Sequence, residues 1–228
     1  PAFVLALTTL ALVYALQTGR SAMGPVGLML GVWLVAGAAT DLWARTGKSG
    51  ASRLLRLQRS DYGRVISHAG LGVTIIGVAG LLAWQSEDIR VMREGDSLTL
   101  AGYDITLESV AREQGPNYLS TIGTVHLSRD GKEIALMHPE KRFYPVARMP
   151  TTEAAIDSGF LRDVYVVIGD PQDGGGWAFR SYVKPLAGWI WGGAILMALG
   201  GGFSLSDRRY RVAAGARKVI NTNGVPAE

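Results

Sequence analysis

Four blocks of apolar residues, each about as long as a membrane is thick, constrain this chain more than any other feature. They cover residues 2–17, 24–44, 65–84 and 187–205. A helix rises 1.5 Å per residue and the hydrocarbon layer is about 30 Å thick, so about 20 apolar residues cross it. Tryptophans lie mostly near the block ends, where membrane proteins place them. The sequence therefore predicts four transmembrane helices.

The first block is shorter than the others and follows Pro1 directly, with no initiator methionine. It has no basic residues before it and a second apolar block follows soon after, which is not the pattern of a signal peptide. We therefore expect a truncated span and a chain that begins inside a longer polypeptide.

Charge is divided unevenly along the chain. Residues 85–184 contain 11 Lys and Arg against 15 Asp and Glu, a net charge of −4, whereas the rest contains 12 against 4, a net charge of +8. The basic residues follow the second and fourth apolar blocks. Because basic loops stay in the cytoplasm, these two regions are predicted to be cytoplasmic and the acidic region to lie outside. The basic pI therefore reports topology, and nucleic acid is not a predicted partner.

The acidic region has the pattern of short β-strands. The runs 97–100, 104–107, 123–127 and 164–168 are alternating or β-branched. Turn sequences separate them, including Ala101-Gly102 and Arg129-Asp130-Gly131-Lys132. Six to eight strands in a small barrel or sandwich are expected, with residues 152–157 forming either a helical turn or a bent strand.

The predicted fold is thus a membrane α-helical protein of about four transmembrane helices with an inserted periplasmic all-β domain. Its parts are two transmembrane helices in 1–44, a basic cytoplasmic loop in 45–64, a transmembrane helix with His68 in 65–84, the β domain in 85–185, a transmembrane helix in 186–206, and a basic cytoplasmic tail in 207–228.

Several chemistries lack the residues they need. The chain has no cysteine, which excludes disulfides, thiolate metal sites and a Cys-x-x-Cys-His attachment site of its own. No Ser/His/Asp set, Walker sequence or His-Glu-x-x-His is present, so hydrolase and nucleotidase activities have no support. No catalytic side chain is predicted.

His68 is the one histidine within an apolar block, in Ser67-His68-Ala69-Gly70-Leu71-Gly72. Ionisable residues within spans are expensive and usually functional, and a neutral imidazole is a natural axial ligand of haem iron. Gly72 lies one helical turn further and would let a porphyrin or a neighbouring helix come close. The alternative is that His68 bonds to a neighbouring helix and that the glycines serve helix packing, as Gly27, Gly31, Gly188 and Gly192 are expected to do against further helices outside this chain.

Two other histidines and one charged cluster are weaker candidates. His126 is expected on a strand and His138 before Pro139, both as solvated or structural residues without partners at metal-ligand spacing. The cluster 140–144, Glu-Lys-Arg-Phe-Tyr, could bind a carboxylate such as a haem propionate, but such clusters are usually solvated faces.

Several of these segments, in their order and spacing, resemble the haem lyase subunit of the bacterial cytochrome c maturation system, the CcmF family, in its C-terminal third. The segments are 67–77, 139–144, 152–157, 162–165, and 189–191 through 198–201, which together span about residues 60–212. Singly none of them is specific.

The resemblance implies a membrane haem lyase of the holocytochrome c synthase type, located in the bacterial inner membrane, of which this chain alone is not expected to be active. Its substrate would be haem b, which it would accept from a periplasmic haem chaperone. It would promote the thioether attachment of this haem to apocytochrome c, and it would work with the thiol-presenting subunits of the apocytochrome. His68 matches a family haem ligand and would be an axial ligand of the haem iron, with Gly72 beside the haem. A structural haem b would be ligated upstream of this chain.

Two alternatives stay open beside haem chemistry. The chain could be a noncatalytic membrane-anchored scaffold whose periplasmic domain docks maturation partners, or a transporter subunit, although the broken helices and charged spans of a substrate pathway are missing.

The depth of His68 is also open. The predicted topology places it about one turn inside the cytoplasmic end of its span, whereas the family ligand serves haem delivered from outside. Either the helix starts near Ser60 or earlier and His68 lies deeper, or part of the segment from Arg53 to Arg64 is buried in an inward-dipping pocket.

Overall fold

The computed structural model describes residues 2–18, 21–47 and 57–207. Its helices are α1 (Ala2–Leu16), α2 (Met23–Thr46), α3 (Arg59–Trp84) and α4 (Ala187–Leu205). By length and composition α2, α3 and α4 could each cross a membrane, and α1 is a shorter apolar helix. These helices bear out the membrane-helical part of the fold prediction.

Helix α3 begins at Arg59, six residues before the apolar block itself. Polar contacts explain why its first turns are helical. Asp61 lies in the first turn, where the helix dipole favours an acidic side chain. The backbone N–H of Ser60, which has no partner within the helix, donates to Oδ2 of Asp207 at 3.2 Å. The helix therefore starts before Ser60, as one of the two explanations requires, and His68 lies nine residues after its first residue. The depth of His68 in the membrane stays a prediction.

Helix α3 contacts α4 through small residues. A Cβ atom added to Gly63 would lie 2.5 Å from the carbonyl oxygen of Gly200, and one added to Gly70 would lie 2.8 Å from that of Gly193. Such distances leave no room for a side chain, so glycine permits the close approach. Gly192, which is expected to pack against a helix outside this chain, has open space beside it within the described residues, so that contact stays a prediction. Its neighbour Gly193 contacts α3 of this chain.

The β domain has ten strands rather than the expected six to eight. They are β1 (Ser86–Met92), β2 (Ser97–Leu100), β3 (Tyr103–Gln114), β4 (Leu119–Arg129), β5 (Lys132–Met137), β6 (Glu140–Tyr144), β7 (Met149–Glu153), β8 (Ala155–Ser158), β9 (Arg162–Pro171) and β10 (Trp177–Pro185). All four runs predicted as strands lie within strands. The other six strands include β1, β7 and β8 at sheet edges, and also β6 and β10, each of which lies between two strands.

The strands form two antiparallel sheets, in the orders β1-β10-β9-β8 and β2-β3-β4-β6-β7, with β5 beside β4. Ile105, Leu107 and Val125 of the second sheet are fully buried with Val164 and Phe179 of the first. Apolar side chains from two sheets that share one core define a sandwich. This arrangement decides between the two expected β architectures.

Turn chemistry behaves as the sequence predicts at both short hairpins. Ala101 and Gly102 have φ angles of 49° and 78°, and Asp130 and Gly131 have 51° and 74°. Two successive positive φ angles are the requirement of the tight hairpin turns that connect β2 to β3 and β4 to β5.

The undecided segment 152–157 is a bent strand. It contains the end of β7 and most of β8, with Ala154 between them. Strand β7 belongs to the second sheet and β8 to the first. The bend therefore carries the chain from one sheet of the sandwich to the other.

The described chain divides into two compact units. The first contains most of α1 and α2, α3 as far as Ile76, and α4 from Trp189. The second contains residues 77–188 together with residues 16–24. The candidate residue His68 lies in the first unit, and His126 and His138 lie in the second.

Candidate functional site

His68 lies beside a cavity between α2 and α3. The cavity has a volume of about 370 Å³ and is lined by Trp33, Leu34, Gly37, Ala38, Asp41, Arg64, Val65 and His68. Most of these residues are apolar, and the polar atoms come from one carboxylate, one guanidinium and one imidazole. His68 itself is exposed. The cavity therefore suits a ligand that is mainly apolar and has a few polar atoms.

One hydrogen bond determines which nitrogen of the neutral His68 ring carries the proton. Its Nδ1 lies 2.8 Å from the carbonyl oxygen of Arg64, one turn earlier in α3. A carbonyl oxygen only accepts, so Nδ1 carries the proton and donates it. In the neutral ring Nε2 then has a free lone pair. Metal-binding histidines commonly have this arrangement, in which the second ring nitrogen is held by a backbone carbonyl.

Four charged side chains form a neutral cluster at the same end of α2 and α3. Arg45 Nε lies 3.1 Å from both carboxylate oxygens of Asp41, and Arg45 Nη1 lies 2.8 Å from Asp61 Oδ1. Arg64 Nη2 lies 3.1 Å from Asp41 Oδ2 and 3.6 Å from Asp61 Oδ1. Two cations and two anions joined in this way balance one another's charge.

The sequence did not point to Asp41 as part of this site, and it placed Arg64 only at the end of a basic segment that could enter a pocket. The available signal was Asp41, which is the one acidic residue in the first two apolar blocks. A carboxylate in such a segment is expected to have a specific partner. Its pairing with Arg64, 23 residues away, depends on how α2 and α3 pack, which the sequence alone does not give.

Gly72 faces α2 in the structure. A Cβ atom at this position would lie 2.8 Å from both the carbonyl oxygen of Gly31 and a methyl group of Val35. These are contacts of helix packing, the second of the two roles considered for this residue. Gly31, likewise, contacts α3 of this chain rather than a helix outside it. The contact of Gly72 with a porphyrin stays a prediction.

His126 has two partners that strand pairing brings to it. Its Nε2 lies 2.9 Å from Glu108 Oε2 on β3, and its Nδ1 lies 2.8 Å from Glu133 Oε1 on β5. The hydrogen bond to Glu108, followed by that to Glu133, raises the pKa of His126. Within the described residues no group of His, Asp and Glu side chains has the arrangement of a metal site. The two bonds link His126 to both neighbouring strands, and His138 is exposed.

The charges of the 140–144 cluster are paired within the β domain. Arg142 Nε lies 2.7 Å from Glu140 Oε2, and the Arg142 guanidinium stacks over the ring of Tyr118. The bond from Arg142 lowers the pKa of Glu140. Lys141 pairs with Asp170. The Arg142–Glu140 pair lies within β6, whereas the Lys141–Asp170 pair joins β6 to β9. Binding of a propionate by this cluster stays a prediction.

Comparison with known proteins agrees with this fold. A family model described as the CcmF C-terminal beta-sandwich matches residues 83–185. Cytochrome c-type biogenesis protein ccl1 of Rhodobacter capsulatus is 55% identical over 100% of this chain and 35% of that protein. Cytochrome c-type biogenesis protein CcmF of Pseudomonas aeruginosa is 42% identical over 83% of this chain and 29% of that protein.

A solved structure named cytochrome c heme lyase CcmF has the same fold. It superposes with a TM-score of 0.66 and 21% identity, over 89% of this chain and 34% of that one. The chain spans about a third of the length of the curated relatives that it matches. On this evidence the chain belongs to the CcmF family of cytochrome c-type biogenesis proteins and corresponds to their C-terminal part.

Proposed function

We propose that this chain is part of a membrane haem lyase for c-type cytochrome biogenesis, and that His68 is an axial ligand of the haem iron. The observation that carries the proposal is the His68 ring, which lines a largely apolar cavity and has its Nδ1 proton bonded to a backbone carbonyl. The free Nε2 is the atom that would coordinate iron. The names of the relatives supply the process in which this haem takes part.

The residues around His68 fit haem as a substrate. The cavity offers aromatic and aliphatic surface for a macrocycle, and one nitrogen donor for its metal. In thioether formation a thiol S–H adds across a vinyl C=C bond of the haem, so that sulfur bonds to one carbon and hydrogen to the other. The addition consumes no oxidant. Coordination by His68 would contribute by holding the macrocycle in one orientation while the thiols approach.

The wider setting is proposed on the same basis. The haem would come from a periplasmic chaperone, the thiols would come from an apocytochrome with its thiol-presenting subunits, and the β domain in 85–185 would face the periplasm from the inner membrane. The charge distribution supports this orientation, because the basic regions lie outside the β domain and the β region carries a net charge of −4.

Replacing His68 tests the proposal. In the complete protein, His68→Ala should lower the amount of haem captured and greatly reduce the yield of holocytochrome, while the variant still inserts into the membrane. The loss of an axial ligand removes both iron coordination and orientation of the vinyl groups, so cytochrome yield should fall more than expression does. Haem content is read from the absorbance of the purified protein and yield from haem staining of cytochrome c.

His138→Ala is the matched control, because this histidine is exposed in the β domain. His126 is a poorer control because its ring holds two carboxylates, and replacing it would disturb the sandwich. Normal maturation by His68→Ala, with failure of His138→Ala, would move the haem site into the β domain and contradict the proposal.

A further inference from the structure

The Arg64 side chain has hydrogen-bonding capacity that it does not use. It lines the same cavity as His68 and is 45% exposed. Its one side-chain hydrogen bond among the described residues runs from Nη2 to Asp41 Oδ2, and its approach to Asp61, at 3.6 Å, is longer than a hydrogen bond. A guanidinium has five N–H donors in a planar fork. Most of these donors are therefore available to a ligand.

Arg64 is also free to change partner. Asp41 accepts from Arg45 at both oxygens, and Asp61 accepts from Arg45 at 2.8 Å. Both carboxylates therefore keep a cationic partner when Arg64 turns away from them. Because neither of these partly exposed carboxylates loses its last cationic partner, the exchange leaves no charge unpaired.

The spacing of Arg64 and His68 selects the kind of ligand. Residues four apart lie on the same face of a helix, with their Cβ atoms about 6 Å apart, and both line the cavity opposite Trp33 and Leu34 of α2. Haem, the ligand of the proposed function, has a flat apolar body, a central metal for the His68 ring and carboxylates at its edge, where Arg64 could reach them. Arginine recognises carboxylates with two parallel hydrogen bonds.

We propose that Arg64 binds a propionate carboxylate of the haem whose iron His68 ligates, and that it exchanges its hydrogen bond with Asp41 for this one. The proposal rests on the proposed function, because it requires haem at His68. Arg64 is then a specificity-determining residue that selects porphyrins with free carboxylates over porphyrins without them.

Haem and haem dimethyl ester, which has no free carboxylate, are the two probes that test this role. Their affinities for the complete protein in detergent are measured by absorbance titration, counting only the binding that His68→Ala removes. The unsubstituted protein should bind haem more tightly than the ester. Arg64→Gln should weaken haem binding roughly tenfold, since a hydrogen bond to a charged group contributes about that factor, and should leave ester binding unchanged. Arg59→Gln removes the same charge from the first residue of α3, outside the cavity lining, and should change neither affinity.

A second variant tests the same role without changing the net charge of the cluster. Asp41→Asn combined with Arg64→Gln removes one charge of each sign and keeps the Arg45–Asp61 pair, and it should likewise lose the preference for haem over the ester. Equal weakening of both probes would show that Arg64 only supports the helices and would overturn the proposal. If His68→Ala removes haem while both Arg64 variants keep the preference, only the role of Arg64 is refuted. If His68→Ala leaves haem binding intact, the proposed function itself fails.

Discussion

His126 shows what a single side chain adds to the β domain. Both of its ring nitrogens lie within 2.9 Å of carboxylate oxygens. A neutral imidazole donates from one nitrogen only, so the protonated ring is the form that satisfies both contacts. Glu108 is positioned by a bulge in β3, where the register with β4 shifts between Leu107 and Ser109. The imidazolium thus links three adjacent strands.

This geometry predicts the direction of a pH effect on stability. The pKa of His126 is raised in the folded domain by its hydrogen bonds to Glu108 and Glu133. A raised folded-state pKa means that the stabilisation is complete below the unfolded pKa, about 6.5, and is lost as pH rises through the folded value. Thermal unfolding of residues 85–185, followed by circular dichroism, should therefore show a midpoint that falls as pH rises above about 6.5.

The His126→Gln variant should lose this pH dependence, and His138→Gln, which replaces an exposed histidine, should retain it. A midpoint that falls equally in all three proteins would assign the pH effect to other groups. A midpoint that rises across the same pH range would show that His126 is neutral between its two carboxylates.

The candidate site was only partly predictable at this scale. His68 stands out because a lone histidine in an apolar block is costly, and that signal needs no knowledge of neighbours. The proton on Nδ1 and the cavity wall contributed by Trp33 and Asp41 depend on the rotamer of His68 and the packing of α2. The two partners of His126 likewise depend on strand register and on a bulge, which alternation of residue types does not determine.

At the scale of secondary structure elements, two adjacent glycines of α4 have different surroundings. A Cβ atom on Gly193 would lie 2.5 Å from the carbonyl oxygen of Gly70, whereas one on Gly192 would have nothing within 4 Å. Gly193→Ala should therefore push α4 away from α3 and destabilise the helix pair by about 1–3 kcal/mol, the usual cost of overpacking. Gly192→Ala should leave the contact between α3 and α4 unchanged.

The two variants can be compared by their resistance to thermal aggregation in detergent. Because alanine favours helix more than glycine does, Gly192→Ala provides the matched control for the change of propensity. Equal stability of the two variants would contradict the α3–α4 contact described here.

The glycine spacing of α4 does not by itself identify the face that meets α3. Glycine pairs and triplets occur at 192–193 and 200–202, so several small-residue spacings fit the same helix. The face that meets α3 is set by the rotation of α4 about its axis, and only packing fixes that rotation. The strands were easier to predict, because alternation with turn residues such as Asp130-Gly131 specifies both the element and its ends.

At the scale of the whole molecule, the distribution of charge is the main guide to orientation. The ion pairs of Arg45 and Arg64 with Asp41 and Asp61 are neutral together and leave the surrounding excess of positive charge intact. Four further basic residues, Lys48, Arg53, Arg56 and Arg59, lie between the second and third apolar blocks. The net charge of +8 outside the β region therefore still favours cytoplasmic basic regions.

Cysteine labelling in intact cells tests this orientation, and the chain contributes no cysteine of its own. Single cysteines are introduced by Gly50→Cys, Arg217→Cys and Asp130→Cys into the complete protein, with any other cysteine removed. Gly50 and Arg217 lie outside the described residues, and Asp130 is at the β4–β5 turn.

A membrane-impermeant maleimide should reach Asp130→Cys from the periplasm once the outer membrane is opened. It should reach the other two only after the inner membrane is broken, because moving the basic regions outward opposes the positive-inside preference. The protein without introduced cysteines gives the background. Labelling of Gly50→Cys before the inner membrane is broken would overturn the orientation and place the start of α3, with His68 nine residues beyond it, on the periplasmic side.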